Sequence, residues 1–171
     1  MPALLPFVLS LLLAITPLSL AAGNSPASSN AHTIQQQYQS VELDQLIDQN
    51  QIPERMVEKK QRVMLSPRAI RFDARLMQRP QPGEFSLVYD ALNLWPSDQP
   101  LPTINHSAFI QSDDGRVIGA YVTQQAASQL QSLADQADSL PLNCHLYAVH
   151  IYNYANGPRL IVIAAGTSSQ P

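Results

Sequence analysis

"NCHLYAVHIYNYANGPRLIVIAAG", residues 143–166, decides the fold. It holds the chain's only cysteine, two of its four histidines and three of its six tyrosines, a density that invites an active-site reading. The alternation argues for strands instead. Tyr147, Val149 and Ile151 fall on one face and Ala148, His150 and Tyr152 on the other, the period of two that a strand imposes. Asn156-Gly157 is a hairpin signal, and "RLIVIAA" is a continuous apolar strand. Pro158 has no N–H to close a two-residue turn, so a longer or bulged loop is expected there.

The same geometry weakens the local chemistry. Adjacent strand residues point to opposite faces, so Cys144 and His145 cannot pair as nucleophile and base unless a bulge intervenes. Cys144 reads as a small buried hydrophobe and, as the sole thiol, forms no intramolecular disulfide. His145 and His150 also face apart, while His32 and His106 lie in distant segments, so no metal site is expected. GxSxG, HExxH and phosphate-cradling glycine loops are absent from the sequence. Asp113-Asp114 precedes Gly115 and reads as turn chemistry rather than an acid–base pair. No catalytic residue and no cofactor is expected, and the chain does not read as an enzyme.

Upstream, "TQQAASQLQSLADQA" is the clearest helix, with Thr123 as its cap and Ala126, Ala127, Leu130, Leu133, Ala134 and Ala137 at helical spacing. "SAFIQ" and "RVIGAYV" flank Ser112-Asp113-Asp114-Gly115 as a second hairpin. "RAIRFDARLM" alternates Ile70, Phe72, Ala74 and Leu76 with Arg71, Asp73 and Arg75, a half-buried strand. "EFSLVYDALNLW", residues 84–94 and the tryptophan after them, reads as a further strand before a proline-rich loop. "SVELDQLIDQNQ" offers a helix with Ser40 as N-cap and Leu43, Leu46 and Ile47 on one face. "PERMVEKKQRVM" suggests a second helix with a weak apolar stripe.

Strand, hairpin, helix, hairpin over residues 68–166 resembles an oligonucleotide/oligosaccharide-binding (OB) barrel, in which a helix sits between the third and fourth strands. The expected class is α+β, mainly β: an OB-like barrel of five or six strands with a short helical segment at 40–65 before it. Either 68–77 or 84–94 fills the first-strand slot. The resemblance is topological, with no family motif, and the barrel supports many unrelated functions.

The N-terminus, "MPALLPFVLSLLLAITPLSLAAGN", is uncharged and apolar from Ala3 to Ala22 and ends in Ser19-Leu20-Ala21. That is the layout of a secretory signal peptide over 1–21, although its n-region carries no Lys or Arg. The alternative is an uncleaved membrane anchor, since about twenty apolar residues span a bilayer. Residues 22–39 read as a flexible polar tether and 167–171 as a disordered tail. A disulfide-free exported chain of this size suits a bacterial periplasm. After cleavage no transmembrane span remains.

Charge is the most informative functional feature. Eight of the ten basic residues lie between Pro53 and Pro80, against Glu54, Glu58 and Asp73, so that segment carries +5 in a chain of net −3. Lys59, Lys60, Arg71 and Arg75 are the expected anion-attracting surface, with Arg116 and Arg159 outside it. Tyr152 and Tyr154 are candidates for ring stacking against a ligand. The leading expectation is a periplasmic, non-enzymatic binding or adaptor protein for an anionic partner: acidic protein, glycan or nucleic-acid strand. Nucleic acid is the less favoured ligand, because net acidity opposes bulk DNA binding. The alternative is a structural subunit of an envelope, secretion or conjugation assembly.

Overall fold

The computed structural model describes residues 38–95, 100–155 and 157–168. The signal peptide expected at 1–21 and most of the expected tether lie outside these residues. The architecture is mixed α+β, a seven-stranded sheet with four helices. The strands are β1 (Gln39–Ser40), β2 (Val63–Leu76), β3 (Gln81–Pro82), β4 (Ile104–Gln111), β5 (Val117–Thr123), β6 (Leu142–Tyr154) and β7 (Gly157–Thr167). The helices are α1 (Leu43–Gln49), α2 (Glu54–Glu58), α3 (Ser86–Leu92) and α4 (Gln124–Gln136).

The sheet order is β1-β2-β6-β7-β5-β4-β3. β2 also meets β4, through Arg75↔Gln111 and Leu76↔Ile110. Successive pairings therefore run from β2 through β6, β7, β5 and β4 back to β2. All are antiparallel except β5 with β7.

The alternation of β2 explains its burial. Ile70, Phe72, Ala74 and Leu76 enter a core with Ala108 and Ile110 of β4, Ile118 and Val122 of β5, Leu146 of β6 and Leu160 of β7. Leu43, Leu46 and Ile47 of α1 and Ala126, Ala127 and Leu130 of α4 pack into the same cluster. Each fully buried aliphatic side chain here contributes about 1.5–3 kcal/mol. The face turned toward this cluster is the inner face. α4 starts where expected, the Thr123 hydroxyl accepting the Ala126 N–H at 3.3 Å.

A second cluster lies on the outer face, where Val88, Ala91 and Leu92 of α3 cover Val149, Ile151 and Ile161. This corrects the reading of 84–94 as a strand. Phe85, Val88, Ala91 and Leu92 recur at helical spacing, and that face finds a sheet to pack against. The strand that precedes the β4–β5 hairpin is β2, which contains most of 68–77.

Three further boundaries move. The expected second helix shortens to α2, which buries no residue, and Val63 begins β2 instead. A helix without a face to bury has little to hold it. Ser40 does not cap α1: it pairs with Arg71 as part of β1, and Glu42 takes the N-cap position. Cys144 pairs with Thr167, so ordered strand reaches into the expected tail.

The β6–β7 hairpin forms tightly rather than through a long loop. Tyr154 pairs with Gly157, whose φ of 96° favours glycine, while Asn156 lies outside the described residues. The irregularity comes further along. His150 pairs with Leu160 and Tyr152 with Arg159, leaving Ile151 as an extra residue. Opposite it, Met64 and Arg68 of β2 span only two positions of β6, across a stretch where Pro67 lacks a ladder donor. This bulge overturns one facing. Tyr152 joins Val149 and Ile151 in the outer cluster instead of following Ala148 and His150.

Candidate functional site

The bulge places Tyr152 at one wall of a groove of about 390 Å³ on the outer face. Its floor comes from β4 and β5, where odd-numbered residues face outward: Ser107, Phe109, Val117, Gly119 and Tyr121. Leu87 of α3 closes one side, Tyr154 and Arg159 come from the β6–β7 hairpin, and Arg62 comes from just before β2. Phe109 is 50% exposed, although it is a large apolar ring in the middle of a strand. Its neighbour across the ladder is Gly119, so no side chain covers it from that position.

The tyrosines divide the work. Tyr152 is 3% exposed, and its hydroxyl shares a hydrogen bond of 2.8 Å with that of Tyr121. Burial, reinforced by that bond, pushes the Tyr152 phenol above its ordinary value and keeps it neutral. Its role in the wall is support. Tyr121 is also braced edge-on by Phe85, with ring centroids 5.3 Å apart. Tyr154 is half-buried.

Two arginines rest on these rings. The guanidinium carbon of Arg62 lies 5.7 Å from the Tyr152 centroid, and that of Arg159 lies 5.9 Å from the Tyr154 centroid. Arg159 also donates from Nη1 to the Gly119 carbonyl at 3.3 Å. Among the described residues the groove lining contains both arginines and no carboxylate. Arg79 and Arg116, by contrast, are neutralised by Asp135 and by Asp44 and Asp48.

The residues singled out by charge are not gathered in one place. Lys59 and Lys60 are exposed after α2, at the start of β2. Arg71 and Arg75 lie toward its other end, with Arg71 about 17–20 Å from Val63, judged by their partners Tyr147 and Asn153 on β6 at roughly 3.3 Å per residue. Arg71 and Arg75 share a face but stand four positions apart, about 13 Å, which is too far for adjacent anionic groups on one ligand. Arg75 donates to the Ser112 carbonyl at 3.3 Å. The Nε atoms of Arg71 and Arg75 are buried without a hydrogen-bond partner among the described residues. Asp73 between them turns instead to His145 Nδ1 and the Ser168 hydroxyl, each at 3.0 Å. Only Tyr152 and Tyr154 of the expected set reach the groove. Arg62, Phe109, Gly119, Tyr121 and Arg159 were not among the sequence candidates.

Other arrangements carry less. His145, Asp73 and Ser168 contain the residue types of a hydrolytic triad in the wrong order: the carboxylate, not the imidazole, holds the hydroxyl. Cys144 is fully buried and donates to the Ala74 carbonyl at 3.4 Å, and burial pushes its thiol up to about 12. It stays protonated at neutral pH. His150 is buried too, its Nε2 2.7 Å from Asn153 Oδ1, and Asn153 in turn donates to Asn50 Oδ1 at 3.1 Å. That chain of polar groups ties β6 to the end of α1. Among the described residues no three His, Cys, Asp or Glu side chains cluster as metal ligands. A larger hollow of about 650 Å³, between Tyr38, Trp95, Leu101, Val149 and Ile163, has no charged side chain among the described residues of its lining.

Compared with protein-family models, curated proteins and solved structures, the chain has no significant match to any of them.

Proposed function

We propose that the protein is an exported, non-enzymatic binding module in which β2, β4, β5, β6 and β7 form an OB-like barrel and the β4–β5 groove holds an anionic chain. The barrel reading rests on the order of pairings that returns to β2 and on α4, which lies between the third and fourth of those strands. In such barrels the outer face of the second and third strands, here β4 and β5, takes the ligand. One observation carries the binding reading. A chain of net −3 sets two arginines and a half-exposed phenyl ring in one groove that, among the described residues, holds no carboxylate to neutralise them. An acidic protein segment, a glycan or a nucleic-acid strand meets that description. The periplasm is the proposed compartment, with an uncleaved N-terminal anchor as the alternative. No helix among the described residues is long and apolar enough to cross a membrane.

The test is a titration followed by amide NMR, using oligo-dT, polyglutamate and polygalacturonate as anionic chains. At least one should shift the resonances of Phe109, Gly119 and Tyr121 before those of Arg71 and Arg75. Shifts confined to the β2–β6 outer face would relocate the site, and silence with all three polymers would remove the binding reading. A second reading, as a structural subunit of an envelope assembly, is favoured by exposed Leu87, Tyr89 and Leu94 on and just after α3.

A further inference from the structure

The groove's chemistry narrows the ligand further, on the reading that this face binds an anionic chain. Gly119 is the informative residue. Its φ does not lie in the left-handed region, so backbone conformation does not demand glycine. A Cβ built there would meet Phe109 at 3.6 Å and the Arg159 guanidinium at 3.7 Å, both ordinary contacts, so internal packing does not demand it either. A strand interior normally favours a β-branched or aromatic residue over glycine. The missing side chain leaves bare backbone on the groove floor, with a ring on one side and a guanidinium on the other. Gly119 sits in regular register with Phe109, so no bulge accounts for it, and close approach by a ligand is the reading that remains for such a strand glycine.

What fits that slot is a flat ring with an anion close beside it. Glycans offer rings, but their many hydroxyls need amide and carboxylate partners. Among the described residues the lining has Ser107, tyrosine hydroxyls and the two arginines for polar contacts, and two of those hydroxyls already satisfy each other. An extended acidic peptide would gain most by adding as a strand. β5 is already flanked by β4 and β7, and β4 by β5 together with β2 and β3, so little free edge adjoins the groove. A nucleobase needs only a π-face, which Phe109 offers at half exposure, and its phosphate needs the fork of an arginine.

We propose that the groove binds single-stranded nucleic acid, with one base on Phe109 above Gly119, the adjoining phosphate on Arg159 and a neighbouring phosphate on Arg62. Two phosphate contacts keep the electrostatic share small. Each contributes about −0.7 to the slope of log affinity against log salt for a single strand, so the expected slope is about −1.4. Stacking then carries the rest, and a chain of net negative charge binds through one local groove rather than through its overall field.

The test is fluorescence anisotropy of labelled dT12 with the full chain across a salt series. Arg62→Gln with Arg159→Gln should flatten the slope toward zero. Phe109→Ala should weaken binding about tenfold and leave the slope unchanged, since it removes stacking alone. Gly119→Val should weaken binding about tenfold by filling the slot while the melting temperature holds or rises, which separates blocked binding from unfolding. If dT12 fails to bind while polyglutamate or polygalacturonate binds and loses affinity in these variants, the nucleic-acid assignment falls and the binding face stands. If no polymer binds, both fall. If dT12 binds equally well to all the variants, the groove is not its site and the assignment is again overturned.

Discussion

His150 is buried, and a buried imidazole resists charging. Burial, aided by the neighbouring Arg68 charge, lowers its pKa from the ordinary 6.5 against the opposing hydrogen bond that Nε2 donates to Asn153 Oδ1. The unfolded chain therefore binds a proton more readily than the folded one as pH falls below 6.5. Stability is fully present above that value and is lost on acidification until the folded-state pKa is passed. Chemical denaturation at pH 7.5 and pH 5 should show a lower midpoint in acid, and His150→Gln should shrink the difference. An unchanged difference in that variant would assign the acid sensitivity to other groups. Asn153→Ala removes the link between His150 and Asn50 and should cost about 1–3 kcal/mol, the usual penalty for leaving buried polar groups unpaired.

Arg116 governs how an element is held. It donates from Nε and Nη2 to Asp44 Oδ1 at 3.0 and 2.7 Å, from Nη2 to the Asp44 carbonyl, and from Nη1 to Asp48. Burial alone would raise the Asp44 carboxyl, but hydrogen bonds from Ser112, the Asp114 N–H and Arg116 outweigh it and hold that carboxyl below its usual range. Arg116→Gln should thus lower the melting temperature and speed hydrogen exchange in α1 more than in α4. Equal acceleration of both helices would mean that the bridge supports the whole fold rather than α1. Elements with one clean period were legible beforehand: α4 from Ala126, Ala127 and Leu130, and the β6–β7 hairpin from its alternation and Gly157. α3 was hidden because exposed Leu87 and Tyr89 interrupt the spacing of Val88, Ala91 and Leu92 and produce an apparent strand. Of the groove, only Tyr152 and Tyr154 were legible. Phe109, Gly119 and Arg159 belong to three strands, and strand register cannot be read from alternation. Tyr152 reached it through a bulge that shifts the count by one residue.

Taken whole, the molecule distributes its charge differently from the linear sequence. Lys59 and Lys60 precede β2 and Arg71 and Arg75 lie toward its far end, whereas Arg62 and Arg159, far apart in sequence, line one groove. At this scale the proposed export predicts a cut after Ala21, so N-terminal sequencing of periplasmic protein should begin at Ala22 or Gly23. Recovery of the uncut chain in the membrane fraction would replace secretion with anchoring.

The pairing of β2 with β6 also sets a timetable for the chain. Val63 meets Asn153 and Leu76 meets Leu142, so the partners stand 66 to 90 residues apart. A chain made from its N-terminus has the whole of β2 in place long before any of β6 exists. Until then the longest strand of the sheet has its main ladder unmade, and closing so wide a loop is slow. Such a chain is held back from folding for most of its synthesis, the state that a translocation channel requires of its passengers.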